Sequence, residues 1–188
     1  MAQQMQIAGT NGKTVKFNNA EVDEITPSLT IITIPHNRIH VGDMYSASHL
    51  FIDVASTADA EILVKVGSNK FLHFIFSVSA GAEAYVYFFE NPTITDDGTT
   101  VNIYNMNRRS SNTSDITVYQ NPTIGAVGTQ LSTDLLPGAV KKMDVGGNIR
   151  QDTEWVLKEN NNYLIRATNN GAGAESVAIQ LEWYEVSV

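Results

Sequence analysis

The sequence predicts an all-β fold, an antiparallel β-sandwich of jelly-roll type, and three observations support this class. Apolar and polar residues alternate with a period of two in many short segments, as they do in half-buried strands. Turn signals follow roughly every 8–12 residues, which favours a sandwich over a closed barrel. Asn, Thr, Ser and Gly are abundant and Lys and Glu are sparse, whereas helical proteins fill their surfaces with Lys and Glu.

The chain of 188 residues is long enough for one domain with its own core. Its first part is polar, rich in Asn, weakly patterned, and ends next to Pro27. We therefore expect a short extended N-terminal arm over residues 1–28, with a hairpin around Asn11-Gly12. The sandwich domain is expected to cover residues 29–188.

Strand assignments follow from the alternation pattern along the chain. Residues 29–34 are apolar on both faces, which predicts a buried strand. Residues 45–54 look extended, with a short helix as an open alternative. The other predicted strands cover residues 61–66, 71–79, 84–89, 100–104, 115–119, 130–135, 154–157, 163–168 and 176–186. The pattern corresponds to roughly nine or ten strands and no helix.

Two pairs of these segments look like hairpins. The aromatic segments 71–79 and 84–89 are neighbours in sequence and are expected to form a central hairpin. Segments 154–157 and 163–168 flank residues 158–162, a candidate hairpin turn. In the last segment, one face is apolar and the other polar, the pattern of a half-buried antiparallel strand. The apolar face consists of Val177, Ile179, Leu181 and Trp183.

One short motif occurs twice, thirty residues apart. Asn-Pro-Thr-Ile covers residues 91–94 and again 121–124, and each copy is followed by Gly-Thr, at residues 98–99 and 128–129. Proline fits poorly inside a central strand, so each copy predicts a strand that ends and turns. Two copies indicate local pseudo-symmetry within one sheet system, with a duplicated binding loop as the alternative.

Composition and charge exclude several classes of protein. The chain has 12 Lys and Arg against 20 Asp and Glu, a net charge of −8, and no Cys. The acidic balance argues against nucleic acid as a partner, and the missing Cys excludes disulfide scaffolds and Cys-ligated metals. No apolar run reaches the roughly 18–20 residues of a membrane helix, and no signal-peptide pattern is present. We expect a soluble protein with no membrane partner, made without export.

The sequence contains no motif that predicts catalysis or a cofactor. Patterns for a serine nucleophile or a phosphate-binding loop are absent. His36 and His40 are four residues apart, a spacing that binds zinc only on a helix. Pro35 and Gly42 flank the pair and no Glu lies between, so a structural role is favoured. The prediction is a protein that is not an enzyme, with no catalytic, cofactor or metal residues.

Arg108 and Arg109 lie in the densest polar cluster, residues 105–114. Arginine binds carboxylates through two parallel hydrogen bonds, so an exposed pair could hold an acidic partner. The alternative is an intramolecular role in which Asn and Ser side chains, among them Asn112, close local turns. The residues favour this intramolecular alternative.

Four segments of the chain occur in a characteristic order. They are His36-Asn37-Arg38-Ile39-His40, residues 107–114, residues 156–169, and Leu181-Glu182-Trp183-Tyr184. In this order the chain resembles small virion structural proteins of tailed bacteriophages, a group that includes capsid decoration, or cement, proteins. The resemblance extends over about residues 35–185 and implies no catalytic residue.

The resemblance implies a jelly-roll-like protein on the exterior of the icosahedral head of a virion. Such a protein binds the major capsid protein between capsomers and stabilises the shell, and it is assembled in the cytoplasm of the bacterial host. Self-association is implied too, with a homotrimer expected ahead of a dimer. The candidate partner-binding residues are Arg108, Arg109, Asn112, His36, Arg38 and His40.

The alternative function is a tail or neck fibre component that binds host glycans. Its motivation is the presence of seven Tyr and two Trp, because aromatic rings can stack on sugars. Most of these residues occupy alternating strand positions, which core packing also explains.

Overall fold

The structure is a computed structural model that describes residues 6–8, 14–16, 33–68, 70–138, 148–150 and 154–187. The chain divides into two compact units, residues 1–37 and 38–188. In the first unit, β1 (Gln6–Ala8) and β2 (Thr14–Lys16) pair antiparallel, as the hairpin expected around Asn11-Gly12 requires. The arm boundary at residue 28 and most of the strand predicted at 29–34 lie outside the described residues.

Strands dominate the rest of the described chain. The remaining elements are α1 (Ile34–Val41), β3 (Met44–Val54), β4 (Asp59–Val66), β5 (Lys70–Ala80), β6 (Ala84–Glu90), β7 (Thr93–Asp96), β8 (Thr99–Thr100), β9 (Tyr104–Asn105), β10 (Ile116–Gln120), β11 (Thr123–Ala126), β12 (Thr129–Leu136), β13 (Asn148–Arg150), β14 (Trp155–Leu157), β15 (Asn162–Asn169) and β16 (Glu175–Ser187).

Two antiparallel sheets pack face to face in the second unit. One sheet has the order β12-β6-β15-β4-β10-β8 and the other β13-β5-β16-β3-β9, with β14 also paired to β5. The core lies between them, and Val177, Ile179, Leu181 and Trp183 are buried on the predicted face of β16. The predicted all-β sandwich is confirmed.

Both hairpins predicted from neighbouring segments are wrong. β5 and β6 belong to opposite sheets, and so do β14 and β15. Each of these strands has an apolar face that must be buried, and a sandwich buries such faces across the core. The rings of Phe76 on β5 and Phe88 on β6 accordingly meet across the core, with centroids 5.2 Å apart.

The expectation of no helix is also wrong, because α1 covers Ile34–Val41. Ile34, assigned to a buried strand from sequence, begins this helix and is exposed. Pro35 fits the first helical turn, where its missing N–H is not needed. Gly42 has φ +85° and donates its N–H to Arg38 O at 3.0 Å, as a C-terminal helix cap does. Residues 45–54, left open between strand and helix, lie in β3.

The two copies of the Asn-Pro-Thr-Ile motif are related by the predicted pseudo-symmetry: they form a two-stranded sheet of their own, and the strands before and after them belong to one six-stranded sheet. β7 and β11, the two copies, pair with each other as an antiparallel ribbon. After the ribbon each copy joins the other copy's strand, since Thr99 pairs with Gln120 on β10 and Thr129 pairs with Glu90 on β6. Asn91 and Asn121 have matching φ values of 58° and 52°. The two copies therefore exchange strands reciprocally.

The same pseudo-symmetry extends to side chains on the outer face of the sheet β12-β6-β15-β4-β10-β8. Lys65 Nζ lies 5.9 Å from the ring centre of Tyr119, and Arg166 Cζ lies 5.9 Å from that of Phe89. Between them, Leu63 and Leu164 are fully buried although they point away from the main core. An ion pair of 2.8 Å joins Lys65 to Asp97, which follows β7, so the end of the ribbon is held to this face of the sheet.

Replacing Gly98 or Gly128 by Ala should destabilise the fold by about 1–3 kcal/mol. Both glycines have positive φ, and an added Cβ would lie 2.3 Å from Gln120 O or Glu90 O respectively. Urea unfolding measures the effect. Gly173→Ala is the control because a Cβ there meets nothing within 4 Å. Equal stability of all three variants would contradict the strand exchange.

Candidate functional site

The loop between β9 and β10 is held in shape by its own side chains. Asn105 Oδ1 accepts the N–H of Asn107 at 2.9 Å, and Asn107 Oδ1 accepts the N–H of Arg109 at 3.1 Å. Ser110 Oγ accepts the N–H of Asn112 at 3.1 Å. These are Asx and ST turns, so the turn chemistry predicted for residues 105–114 is confirmed.

Asparagine side chains also attach this loop to the C-terminal end of α1. Asn107 Nδ2 donates to His40 O at 3.0 Å, and Asn105 Nδ2 and Asn112 Nδ2 donate to Gly42 O at 2.8 and 3.2 Å. The last carbonyls of a helix have no partner within the helix, so these amides satisfy them. The contact brings two predicted groups together, the Arg108–Arg109 loop and the segment with Arg38 and His40.

An exposed surface results, which we call the arginine surface: Tyr104, Met106, Arg108 and Arg109. Arg108 Cζ lies 5.3 Å from the ring centre of Tyr104, which is half exposed on the edge strand β9. Met106 and Arg109 are exposed beside them. Arg, Tyr and Met are the residues that protein interfaces favour, and stacking on an aromatic face keeps a guanidinium in place.

The other predicted partner-binding residues have different settings. Arg38 lies 3.6 Å from Asp43 in an ion pair, so its charge is already matched. Asn112 Nδ2 donates hydrogen bonds to Gly42 O and, at 3.3 Å, to Asp43 Oδ1. His36 and His40 are exposed and lie in α1, one turn apart. Among the described residues, no group of three or more His, Asp and Glu side chains is placed to hold a metal ion.

A buried carboxylate fixes the far end of the loop. Glu185 on β16 has a fully buried side chain and accepts hydrogen bonds from Ser114 Oγ at 2.6 Å and from Asp115 N at 2.8 Å. Lys70 Nζ, 2.7 Å away, matches its charge, and Trp183 Nε1 donates at 3.3 Å. Burial of a carboxylate requires such donors, so the loop end is bound to both β16 and β5.

A cavity of about 270 Å³ lies behind the loop, lined by Tyr45, Ile103, Ile116 and residues 112–114. The Tyr45 side chain is buried, and its hydroxyl has no hydrogen-bond partner in the described part of the chain. Burial, followed by the charges of Glu185 and Asp43, raises the pKa of Tyr45 to about 12. The phenol therefore stays protonated well beyond neutral pH.

Sequence reasoning missed Tyr104, Met106 and Glu185. Both Tyr104 and Glu185 lie in segments predicted as strands, and alternation does not tell which strand lies at the edge of a sheet. A solvated face is expected for Glu185 from sequence, and this is wrong, because its side chain is fully buried. The only signal in the sequence was the closeness of Tyr104 and Met106 to the two arginines.

Comparison of the chain with protein-family models and with curated proteins finds no match. Over the residues that the structure describes, no helix has the length and apolar character needed to cross a bilayer.

Tyr45→Phe should leave stability at pH 7 equal or raise it by about 1 kcal/mol, because it removes a buried hydroxyl that has no partner. Between pH 10 and 12 its advantage should grow. The unfolded tyrosine ionises near pH 10, whereas the folded phenol ionises near 12, so stability of the parent protein falls over that window. Urea unfolding at pH 7 and pH 11 measures both effects.

Tyr184→Phe is the matched control. The pKa of Tyr184 is also raised to about 12, by burial and then by its hydrogen bond to Glu154. That bond, from Oη to Glu154 Oε2, is 2.8 Å long, so its loss should lower stability at pH 7. Lower stability of Tyr45→Phe at pH 7 would contradict the assignment of a hydroxyl without a partner.

Proposed function

We propose that this chain is a capsid decoration protein of a tailed bacteriophage. It binds the major capsid protein between capsomers on the outside of the head and stabilises the shell. The observation that carries the proposal is the arginine surface, in which the two guanidinium groups of a loop held by asparagine hydrogen bonds lie beside the aromatic ring of Tyr104 on β9. The resemblance of residues 35–185 to virion proteins supports it.

The arginine surface suits attachment to an acidic site on a capsid protein. Arg108 and Arg109 are exposed on a chain whose net charge is −8. They therefore place two positive charges side by side on an acidic protein. Their loop is held by three asparagine contacts to His40 O and Gly42 O. A preorganised loop loses little conformational entropy on binding, and both Arg and Tyr are enriched among the residues that contribute most to binding at interface centres.

Stabilisation of the shell follows from mass action. A protein that binds assembled capsomers and not free subunits shifts the equilibrium towards the shell. Several copies around one symmetry axis, joined by contacts among themselves, add avidity. No catalytic step is needed for this role.

The double variant Arg108→Ala/Arg109→Ala should bind heads that lack this chain at least about tenfold more weakly than the parent. The reason is the loss of both guanidinium groups from the contact. Co-sedimentation with purified heads measures affinity. Binding by the parent should also weaken as salt is raised, because exposed charges are screened.

Lys158→Ala is the control, since Lys158 carries an exposed positive charge that pairs with Glu90 on another surface. It should bind heads as the parent does. If the double variant binds heads with the affinity of the parent, the arginine surface does not make the contact with the capsid. Cryo-electron microscopy of the virion addresses the function itself, and density for this chain in the tail alone would refute it.

A further inference from the structure

The cavity behind the loop between β9 and β10 has the size and lining of a small-ligand site. Its volume is about 270 Å³, whereas a closed apolar cavity of about 150 Å³ already holds benzene. Tyr45, Ile103 and Ile116 supply the apolar part of the lining. Asn112 and Thr113 also line the cavity and are exposed, so a ligand can enter beside them.

One buried polar group of this lining has no partner. The side chain of Tyr45 is 1% exposed, and its hydroxyl makes no hydrogen bond within the described part of the chain. By contrast, the amides of Asn105 and Asn112 and the hydroxyl of Ser114, which line the same cavity, are hydrogen-bonded within the protein. A buried donor without an acceptor is costly, so the phenol is the group that a ligand would satisfy.

The ring of Tyr45 is held in position by its neighbours. In the sheet, Tyr45 lies opposite Asn105 on β9 and opposite Trp183 on β16. The rings of Tyr45 and Trp183 stack with centroids 6.0 Å apart and an angle of 22° between their planes. The donor is therefore preorganised, and a ligand would not have to order it.

The charges near the hydroxyl restrict the kind of ligand. Burial, followed by the charges of Glu185 and Asp43, raises the pKa of Tyr45 to about 12, so the phenol is an O–H donor at neutral pH. The same two carboxylates disfavour a negative charge beside it. The ligand should therefore be uncharged and should offer an oxygen that accepts a hydrogen bond.

We propose that this cavity binds a small neutral organic molecule, an apolar ring with one carbonyl or ether oxygen that accepts a hydrogen bond from Tyr45 Oη. An apolar lining with few polar groups that fix orientation is typical of ligand sites. Residues 112–114 line the cavity, so a bound ligand also stabilises the loop that carries Arg108 and Arg109. The inference goes beyond attachment to a capsid, and its test needs no capsid.

Cyclohexanone is a suitable probe because it combines a six-membered apolar ring with one carbonyl. Titration of the full chain at pH 7, followed by backbone amide NMR, should shift the signals of Ile103, Ile116 and residues 112–114 to saturation. If these signals do not move, or move without saturating, the site takes up only water and the proposal is overturned.

Tyr45→Phe separates the hydrogen bond from the cavity, because it removes the hydroxyl and keeps the ring. The variant should bind cyclohexanone about five- to tenfold more weakly than the parent, the effect of one hydrogen bond. Benzene, a ring without a carbonyl, should bind parent and variant equally. An unchanged affinity of the variant for cyclohexanone would overturn the role of Tyr45 as donor.

Tyr184→Phe is the control variant, because the hydroxyl of Tyr184 donates to Glu154 and the residue does not line the cavity. It should bind cyclohexanone as the parent does, and a loss equal to that of Tyr45→Phe would attribute the effect to stability and overturn the site. Cyclohexanecarboxylate has a similar ring with a negative charge and should bind at least about tenfold more weakly than cyclohexanone. Equal binding of the two probes would overturn the choice of a neutral ligand.

Discussion

The buried carboxylate of Glu185 is the interaction on which the arrangement of this molecule depends most. A carboxylate charge is costly in a low-dielectric interior unless it is paired, and four donors from three parts of the chain converge on it: Lys70, Ser114 with Asp115, and Trp183 on the same strand. They bind β5, β16 and the start of β10 together at one end of the sandwich. The loop that presents Arg108 and Arg109 ends at this point, so the exposed surface takes its position from a buried charge.

Reciprocal strand exchange between the two motif copies is a second constraint on the structure. Each Asn-Pro-Thr-Ile copy leaves its own strand, crosses in the ribbon, and completes the other copy's sheet edge. The close approach of Gly98 and Gly128 to carbonyls of the other copy allows no side chain at either position. The duplicated motif thus has a structural role. Leu63 and Leu164 are buried on the outer face of the six-stranded sheet, where two packed sheets alone would leave them exposed.

Among the described residues, the arginine surface differs in charge from the acidic chain that carries it. The arginine surface is charged and suits a partner of opposite sign.

The sequence by itself determined the all-β class, the inward face of β16, the turn chemistry of residues 105–114 and the pseudo-symmetry of residues 91–101 and 121–131. Each of these follows from local alternation, from turn-forming side chains or from repetition. The tertiary structure alone decided which strands are neighbours. The predicted hairpins are wrong because the apolar face of a strand can be buried in either arrangement, with the next strand of the chain beside it or across the core. The helix α1 is not predicted because Pro35 and Gly42 act as helix ends only when the segment between them is helical. The partners of Glu185 and the contact of Asn107 with His40 join residues distant in sequence, which no local pattern encodes.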